Sequence, residues 1–169
     1  MIAQTGIFRR VFLIVSIIAL SCAAGCSSAK KKGGEGPEIP EATAADENSS
    51  GDSDSGRAMG LRTIHFAFDS FFLDDEARSI LEANARILKE HTNVRIQIEG
   101  HCDQRGGIQY NIALGEKRAN AVKGYLAKLG IQHDRISVIS FGKEKPIDPA
   151  TTDEAYAKNR RANFVITST

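Results

Sequence analysis

The sequence predicts an α/β (α+β) fold: a two-layer sandwich in which a four-stranded mixed sheet carries helices on one face, built from residues 61–169 of the 169-residue chain. Three observations predict it. Short segments with apolar residues at every second position alternate with longer segments whose apolar residues recur at helical intervals. Each predicted strand is apolar on one side only, as expected of a sheet covered on one face. The stretch has the length of one domain, with no repeat and no second core.

The first 25 residues read as a targeting signal rather than as part of that fold. Arg9 and Arg10 precede the apolar run Val11 to Leu20, and small residues follow before Cys26. That order is the one found in secretory signals, and the run is too short to span a bilayer comfortably. Ala23-Ala24-Gly25 before Cys26 resembles a bacterial lipobox, which makes Cys26 the lipidated first residue of the mature chain; cleavage at Cys22 is the alternative. Ser27 rather than aspartate follows Cys26, and that resemblance favours the outer membrane. Each acyl chain on the cysteine adds roughly 0.8 kcal/mol per buried CH₂, so several chains make a durable anchor without any spanning helix.

From residue 26 to residue 60 the composition shifts to Gly, Ser, Pro, Ala and acidic residues. Such a segment buries too little apolar surface to offset its ordering entropy and is expected to be a disordered tether. Lys30-Lys31-Lys32 can meet anionic headgroups or simply be solvated, and Glu35 to Asp54 reads as a soluble acidic spacer. As a Gly-rich coil the tether spans on the order of 30 Å and reaches about 110 Å when extended.

Within 61–169, Ile64, Phe66 and Phe68 alternate with His65 and Ala67, giving a first strand. Asp74 or Asp75 can cap a helix whose inner stripe is Ala77, Ile80, Leu81, Asn84 and Leu88, ending near His91. Val94, Ile96 and Ile98 alternate with Arg95, Gln97 and Glu99 in a second strand that ends at Gly100. Beyond Gly106-Gly107, Ile112, Ala119, Val122, Leu126 and Leu129 recur at helical spacing, so 108–129 reads as an amphipathic helix. Arg135 to Phe141 reads as a third strand, Pro146 to Pro149 as a loop, Asp153 to Arg160 as a short helical turn and Phe164 to Thr167 as the last strand.

The junction from Gly100 to Leu126 is the candidate site. His101, Cys102 and Asp103 lie at the carboxyl end of the second strand, and Asn111, Leu114 and Arg118 project from one side of the following helix at i, i+3 and i+7. A strand-end carboxylate and a helix guanidinium can border one cleft, the kind of place where α/β folds bind ligands. Spacing alone leaves two readings of Asp103 and Arg118 open: that they hold a ligand, or that they bridge each other.

Other chemistries find less support. The formal net charge of +1 gives no electrostatic case for nucleic acid. Cys22 would be removed and Cys26 lipidated, so Cys102 has no intramolecular partner and reads as a small buried side chain rather than a catalytic thiol. His101, Cys102 and Asp103 are metal-ligand types in a row, with His65 on a possible neighbouring strand. Successive strand residues point to opposite faces, however, and cannot all grip one ion without a bend. No histidine pair has i, i+4 spacing and no Ser or Cys nucleophile sits in a recognisable setting, which argues against a hydrolase and against enzymatic activity generally.

Ile64 to Ser70, Ile98 to Gly106, Asn111 to Leu126, Ile139 to Pro146 and Asn159-Arg160-Arg161-Ala162 together resemble the peptidoglycan-associated lipoproteins of the OmpA-like domain family, over essentially all of 61–169. Ala67 departs from that pattern where the family usually has Asp, and Gln104-Arg105-Gly106-Gly107 replaces the commoner Glu-Arg-Gly-Thr. The resemblance implies non-covalent binding of the peptidoglycan stem peptide through meso-diaminopimelate, without a cofactor. It also implies alternative binding to the propeller protein TolB and a place in the Tol-Pal system, supporting envelope integrity and constriction at division. It implies a site of Asp69, Ser70, Phe71, Asp103, Asn111, Leu114 and Arg118. In that site Arg118 would grip a carboxylate bidentately, Asp103 would accept from an ammonium, Ser70 and Phe71 would give backbone donors, and Asn111 and Leu114 would form the wall and orient the loop. Asn159, Arg160 and Arg161 are expected to be helix-end groups packed against the sheet. A periplasmic adaptor that binds only proteins is the alternative reading. A porin-type relative would need preceding barrel strands, and a flagellar stator a spanning helix.

Overall fold

The computed structural model describes residues 51–169, so the expected signal, the lipidated Cys26 and most of the expected tether lie outside the described residues. The elements follow in the order β1 (Ile64–His65), α1 (Asp75–Glu90), β2 (Arg95–His101), α2 (Ile108–Lys128), a 3₁₀ turn (His133–Arg135), β3 (Ile136–Gly142), α3 (Asp153–Asn159) and β4 (Arg161–Ser168). The four strands form one mixed sheet in the order β1-β4-β2-β3, with β2 and β3 parallel and the other pairs antiparallel.

Register explains the core. Ile96 lies opposite Ile166 and Ile136, Ile98 opposite Phe164 and Val138, and Gly100 opposite Ala162 and Ser140. Because strand side chains alternate between faces, these positions collect on one side of the sheet, where Ile64, Ile96, Ile98, Phe164 and Ile166 are all buried. The predicted stripe of α1, Ala77, Ile80, Leu81, Asn84 and Leu88, is buried against it, and Asp74 caps the helix by accepting from Ala77 N at 2.8 Å. Asn84 belongs to the stripe for a polar reason. Its amide brackets the backbone of Arg62, accepting from Arg62 N at 2.9 Å and donating to Arg62 O at 2.8 Å.

The helix α2 comes unusually close to β2, at two glycines. A Cβ at Gly100 would fall onto the Gly115 carbonyl, and one at Gly115 onto Ser140 Oγ. This contact fixes the height of α2 above the end of β2. Gly100→Ala is therefore expected to push the helix outward and to cost about 1–3 kcal/mol through overpacking, read as a lower urea midpoint; an unchanged midpoint would show that α2 can shift freely.

The structure corrects three expected boundaries. The first strand stops at His65, and Phe68 is 61% exposed. After Phe66 donates to Arg160 O at 2.9 Å the chain turns, with Ser70 N bonded to Ala67 O and Asp69 at φ 53°. The last strand begins at Arg161 rather than Phe164, since Arg161 and Asn163 pair along β4 with their side chains on the face away from the helices.

The third correction concerns the expected tether, which meets a packed segment from Gly51 onward. Ser53 N donates to Phe164 O at 2.9 Å and Ile166 N to Gly51 O at 3.0 Å, so this strap extends the cover of the β4 edge beyond the two-residue β1. Ser53 Oγ donates to Asn163 Oδ1 at 2.8 Å, Arg161 Nε donates to Asp54 Oδ2 at 2.7 Å, and Ala58 is fully buried. Backbone pairing and polar contacts, more than apolar area, hold residues 51–60 in place.

Candidate binding site

The site lies where β2 ends. A register shift between Gly100 and His101 pairs His101 with Gly142, and Cys102 N donates to Gly142 O at 2.7 Å. An irregularity of this kind re-aims the side chains that follow it, and here Cys102 and Asp103 turn toward α2. The helix brings Asn111, Leu114 and Arg118 to the same place, all three buried. Asn111 Nδ2 donates to Arg105 O at 2.7 Å and so holds the loop between β2 and α2.

These groups line a cavity of about 170 Å³, together with Phe68, Asp69, Cys102, Arg105, Gly106, Tyr110 and Arg160. Five of the seven residues singled out from the sequence meet there: Asp69, Asp103, Asn111, Leu114 and Arg118. Ser70 and Phe71 do not line it. The Ser70 N–H is taken by Ala67 O, and its carbonyl serves as an acceptor for Arg118 instead. Phe71 lines a neighbouring groove with Phe72, Leu73 and Tyr125.

The sequence left Asp103 and Arg118 either gripping a ligand or bridging each other, and in the structure they do not bridge. Arg118 is almost fully buried. Its Nε donates to Ser70 O at 2.8 Å, Nη1 to His101 O at 2.8 Å and to Cys102 Sγ at 3.4 Å, and Nη2 to Ala67 O at 3.2 Å. A guanidinium has five N–H donors, so one remains for the cavity and the expected bidentate grip is not available from Arg118 in this arrangement. Asp103 is instead satisfied by two other arginines. Oδ1 accepts from Arg105 N at 3.1 Å and Nε at 3.2 Å; Oδ2 accepts from Arg105 Nη2 at 2.7 Å and Arg160 Nη1 at 3.3 Å. Burial raises the Asp103 pKa, but the Arg105 and Arg160 hydrogen bonds outweigh it and hold the carboxyl below its usual range, so it is ionised at neutral pH.

Arg160 and Arg105 are the cavity-lining partners of Asp103 that the sequence does not single out. The sequence predicts a helix-end charge at Arg160, yet its Nε donates to Phe66 O at 2.9 Å while its Nη1 reaches Asp103. Tyr110, in the first turn of α2, donates from Oη to Asp69 Oδ1 across the mouth. Its place four residues before Leu114 and eight before Arg118, on the same side of α2, is the signal the sequence offers.

His101, Cys102 and Asp103 do not converge. The His101 ring stacks on Phe141 at 5.6 Å with Nε2 3.5 Å from Glu99 Oε2, and the Cys102 thiol contacts Asn111 O at 3.3 Å. Among the described residues no group of three or more His, Cys, Asp or Glu side chains could hold a metal ion. Burial pushes the Cys102 pKa up, so it stays a neutral thiol.

Burial also pushes the His101 pKa below 6.5, against a smaller opposite effect of Glu99; Arg161 adds to the lowering and Asp54 opposes it. The unfolded chain therefore binds the proton more readily than the folded one just below pH 6.5, and the contribution of His101 to stability is lost as pH falls through that window. The urea midpoint is expected to be lower at pH 5.5 than at pH 7.5, and His101→Phe to remove part of that difference. An identical pH dependence in the variant would assign the effect elsewhere.

A strand-end cavity beneath a helix, holding a buried carboxylate and several guanidiniums, marks a small-ligand binding module on an α/β scaffold. Residues 65–160, more than half of the chain, match the OmpA family, and the chain belongs to that family. Within it, the chain is similar to peptidoglycan-associated lipoproteins. The protein of that name from Pasteurella multocida is 43% identical over 100 residues, covering 59% of this chain and 67% of the relative. The one from Pseudomonas aeruginosa is 36% identical over 154 residues, covering 87% and 91%. The crystal structure of the peptidoglycan-associated lipoprotein from Burkholderia pseudomallei superimposes with a TM-score of 0.62 at 38% identity, over 67% of this chain and 96% of that one.

Proposed function

We propose that this protein is an outer-membrane lipoprotein that binds peptidoglycan without catalysis. In this reading Cys26 carries the lipid anchor on the periplasmic face, and the domain holds the meso-diaminopimelate side chain of the stem peptide. The observation that carries the reading is the pairing, in one cavity, of a buried ionised carboxylate at a strand end with guanidiniums on three different segments. A diaminopimelate side chain ends in an ammonium and a carboxylate on one carbon. Asp103 offers the anion for the first, and the arginines offer donors for the second.

The similarity to peptidoglycan-associated lipoproteins supports the same ligand, and supports TolB and the Tol-Pal system as the setting. Exposed Phe68, Phe71 and Phe72 around and beside the mouth give a protein partner an apolar surface to cover, so TolB and peptidoglycan are read as competing for this end of the domain. The test is co-sedimentation of the protein, purified in detergent, with purified sacculi. Wild-type protein is expected to sediment, and Asp103→Asn to bind at least about tenfold more weakly, the loss expected for one charge-assisted bond. Unchanged binding by folded Asp103→Asn would overturn the site. Failure of the wild type to sediment would favour the protein-only adaptor, and released glycan fragments would revive a hydrolase.

A further inference from the structure

We infer that Arg105 is a specificity-determining residue of this site: its guanidinium holds Asp103 in the position a ligand ammonium must take, and a zwitterionic end group releases it by exchanging both partners at once. The inference rests on the stem-peptide reading and names what makes that site selective.

The Asp103 side chain is only 5% exposed, and both of its oxygens are engaged, three of the four donors coming from Arg105. An ammonium that reaches the carboxylate has to replace one of the two arginines. Arg160 is the fixed one. Its side chain is 15% exposed and is held independently at Phe66 O.

Arg105 is the movable one. Its side chain is 39% exposed, and it enters a loop that continues through Gly106, at φ 84°, and Gly107. Its guanidinium lies between two aromatic rings, 4.2 Å from the centroid of Phe68 and 4.6 Å from that of Tyr156. The planar fork can slide off the carboxylate while keeping that stacking.

What the fork meets next decides selectivity. Arg118 has one N–H left for a ligand, so a carboxylate entering the cavity needs a second donor group. The released Arg105 supplies it, as a bidentate fork. An ammonium and a carboxylate on one carbon thus replace the Arg105–Asp103 ion pair with two ion pairs and leave no charge unmatched. An amine alone, as at the end of a lysine side chain, takes Asp103 and gives Arg105 nothing. The lining residues carry three arginines against two aspartates, so an unaccompanied cation also enters a site with positive charge to spare.

Calorimetric titration of the detergent-purified protein with the soluble tripeptides L-Ala-γ-D-Glu-meso-diaminopimelate and L-Ala-γ-D-Glu-L-Lys tests this on the wild type, Arg105→Gln and Arg105→Lys. Wild type is expected to prefer the diaminopimelate peptide. Arg105→Gln should weaken that peptide's binding about tenfold and leave the lysine peptide's unchanged or tighter, so that the ratio of the two affinities falls by about tenfold or more. Arg105→Lys, a point charge without the fork, should fall between. A purely structural role for Arg105 would change both affinities together, and an Arg105→Gln protein with the wild-type ratio would overturn the inference while the stem-peptide reading stands. Wild-type protein that binds neither peptide would overturn that reading, and the inference with it.

Discussion

Arg118→Ala is expected to lower the stability of the domain by about 3–5 kcal/mol, because it takes the guanidinium from the buried His101 carbonyl and the part-buried Ser70 carbonyl and leaves that of Ala67 only its bond from Ser70 N. Each orphaned acceptor loses roughly 1 kcal/mol or more, and the space vacated by a buried guanidinium adds a cavity cost. These carbonyls belong to the β1–α1 loop and to the end of β2, so the variant also loosens two walls of the cavity. Arg118→Lys should recover only part of the loss, since a single ammonium cannot reach three divergent carbonyls in the geometry of a planar fork. Urea denaturation of the two variants checks both statements. A shift below about 1 kcal/mol for Arg118→Ala would show that water replaces the guanidinium at little cost. Ligand affinity measured on Arg118→Ala mixes binding with damage to the scaffold, whereas Asp103→Asn keeps the shape of its side chain and reports binding more directly.

What was legible in the sequence is what hydrophobic period encodes. The stripe of α1 and the alternation of β2 placed the core, and the spacing of Asn111, Leu114 and Arg118 placed three polar and apolar groups on one side of α2, where they line the cavity. Partner choice was not legible. Asp103 and Arg118 were the obvious opposite charges, yet Asp103 takes Arg160 from a segment 57 residues further along the chain, which β4 delivers by pairing with β1 and β2. Phe68 continues the alternation begun at Ile64 although β1 has already ended at His65. Alternation reports a face, while a strand also needs a neighbour to bond. The strap was invisible for a related reason. Ser53, Asp54 and Thr63 dock it through hydrogen bonds, and a count of large apolar residues gives them no weight.

Asp54→Ala is expected to cost about 3–5 kcal/mol, the range for breaking a buried ion pair by removing one partner. Arg161 carries that expectation: its side chain is 6% exposed and its Nε sits 2.7 Å from Asp54 Oδ2, with no other carboxylate at salt-bridge distance among the described residues. Without Asp54 a buried guanidinium faces the polar cluster of Asn163, Glu99 and His101 with no anion bonded to it. A chain starting at Leu61 should lose at least as much, since it also gives up the Ser53–Phe164 and Gly51–Ile166 backbone bonds and uncovers part of the β4 edge for pairing between molecules. The two contributions separate in a double variant. Asp54→Ala with Arg161→Met removes the stranded charge and restores apolar volume, so it should recover most of the loss of the single variant, whereas the truncated chain should remain destabilised and associate as concentration rises. Urea midpoints of the three proteins, with light scattering on the truncated one, distinguish the charge from the edge; a truncated chain as stable as the longer one would mean that residues 51–60 do not hold the sheet.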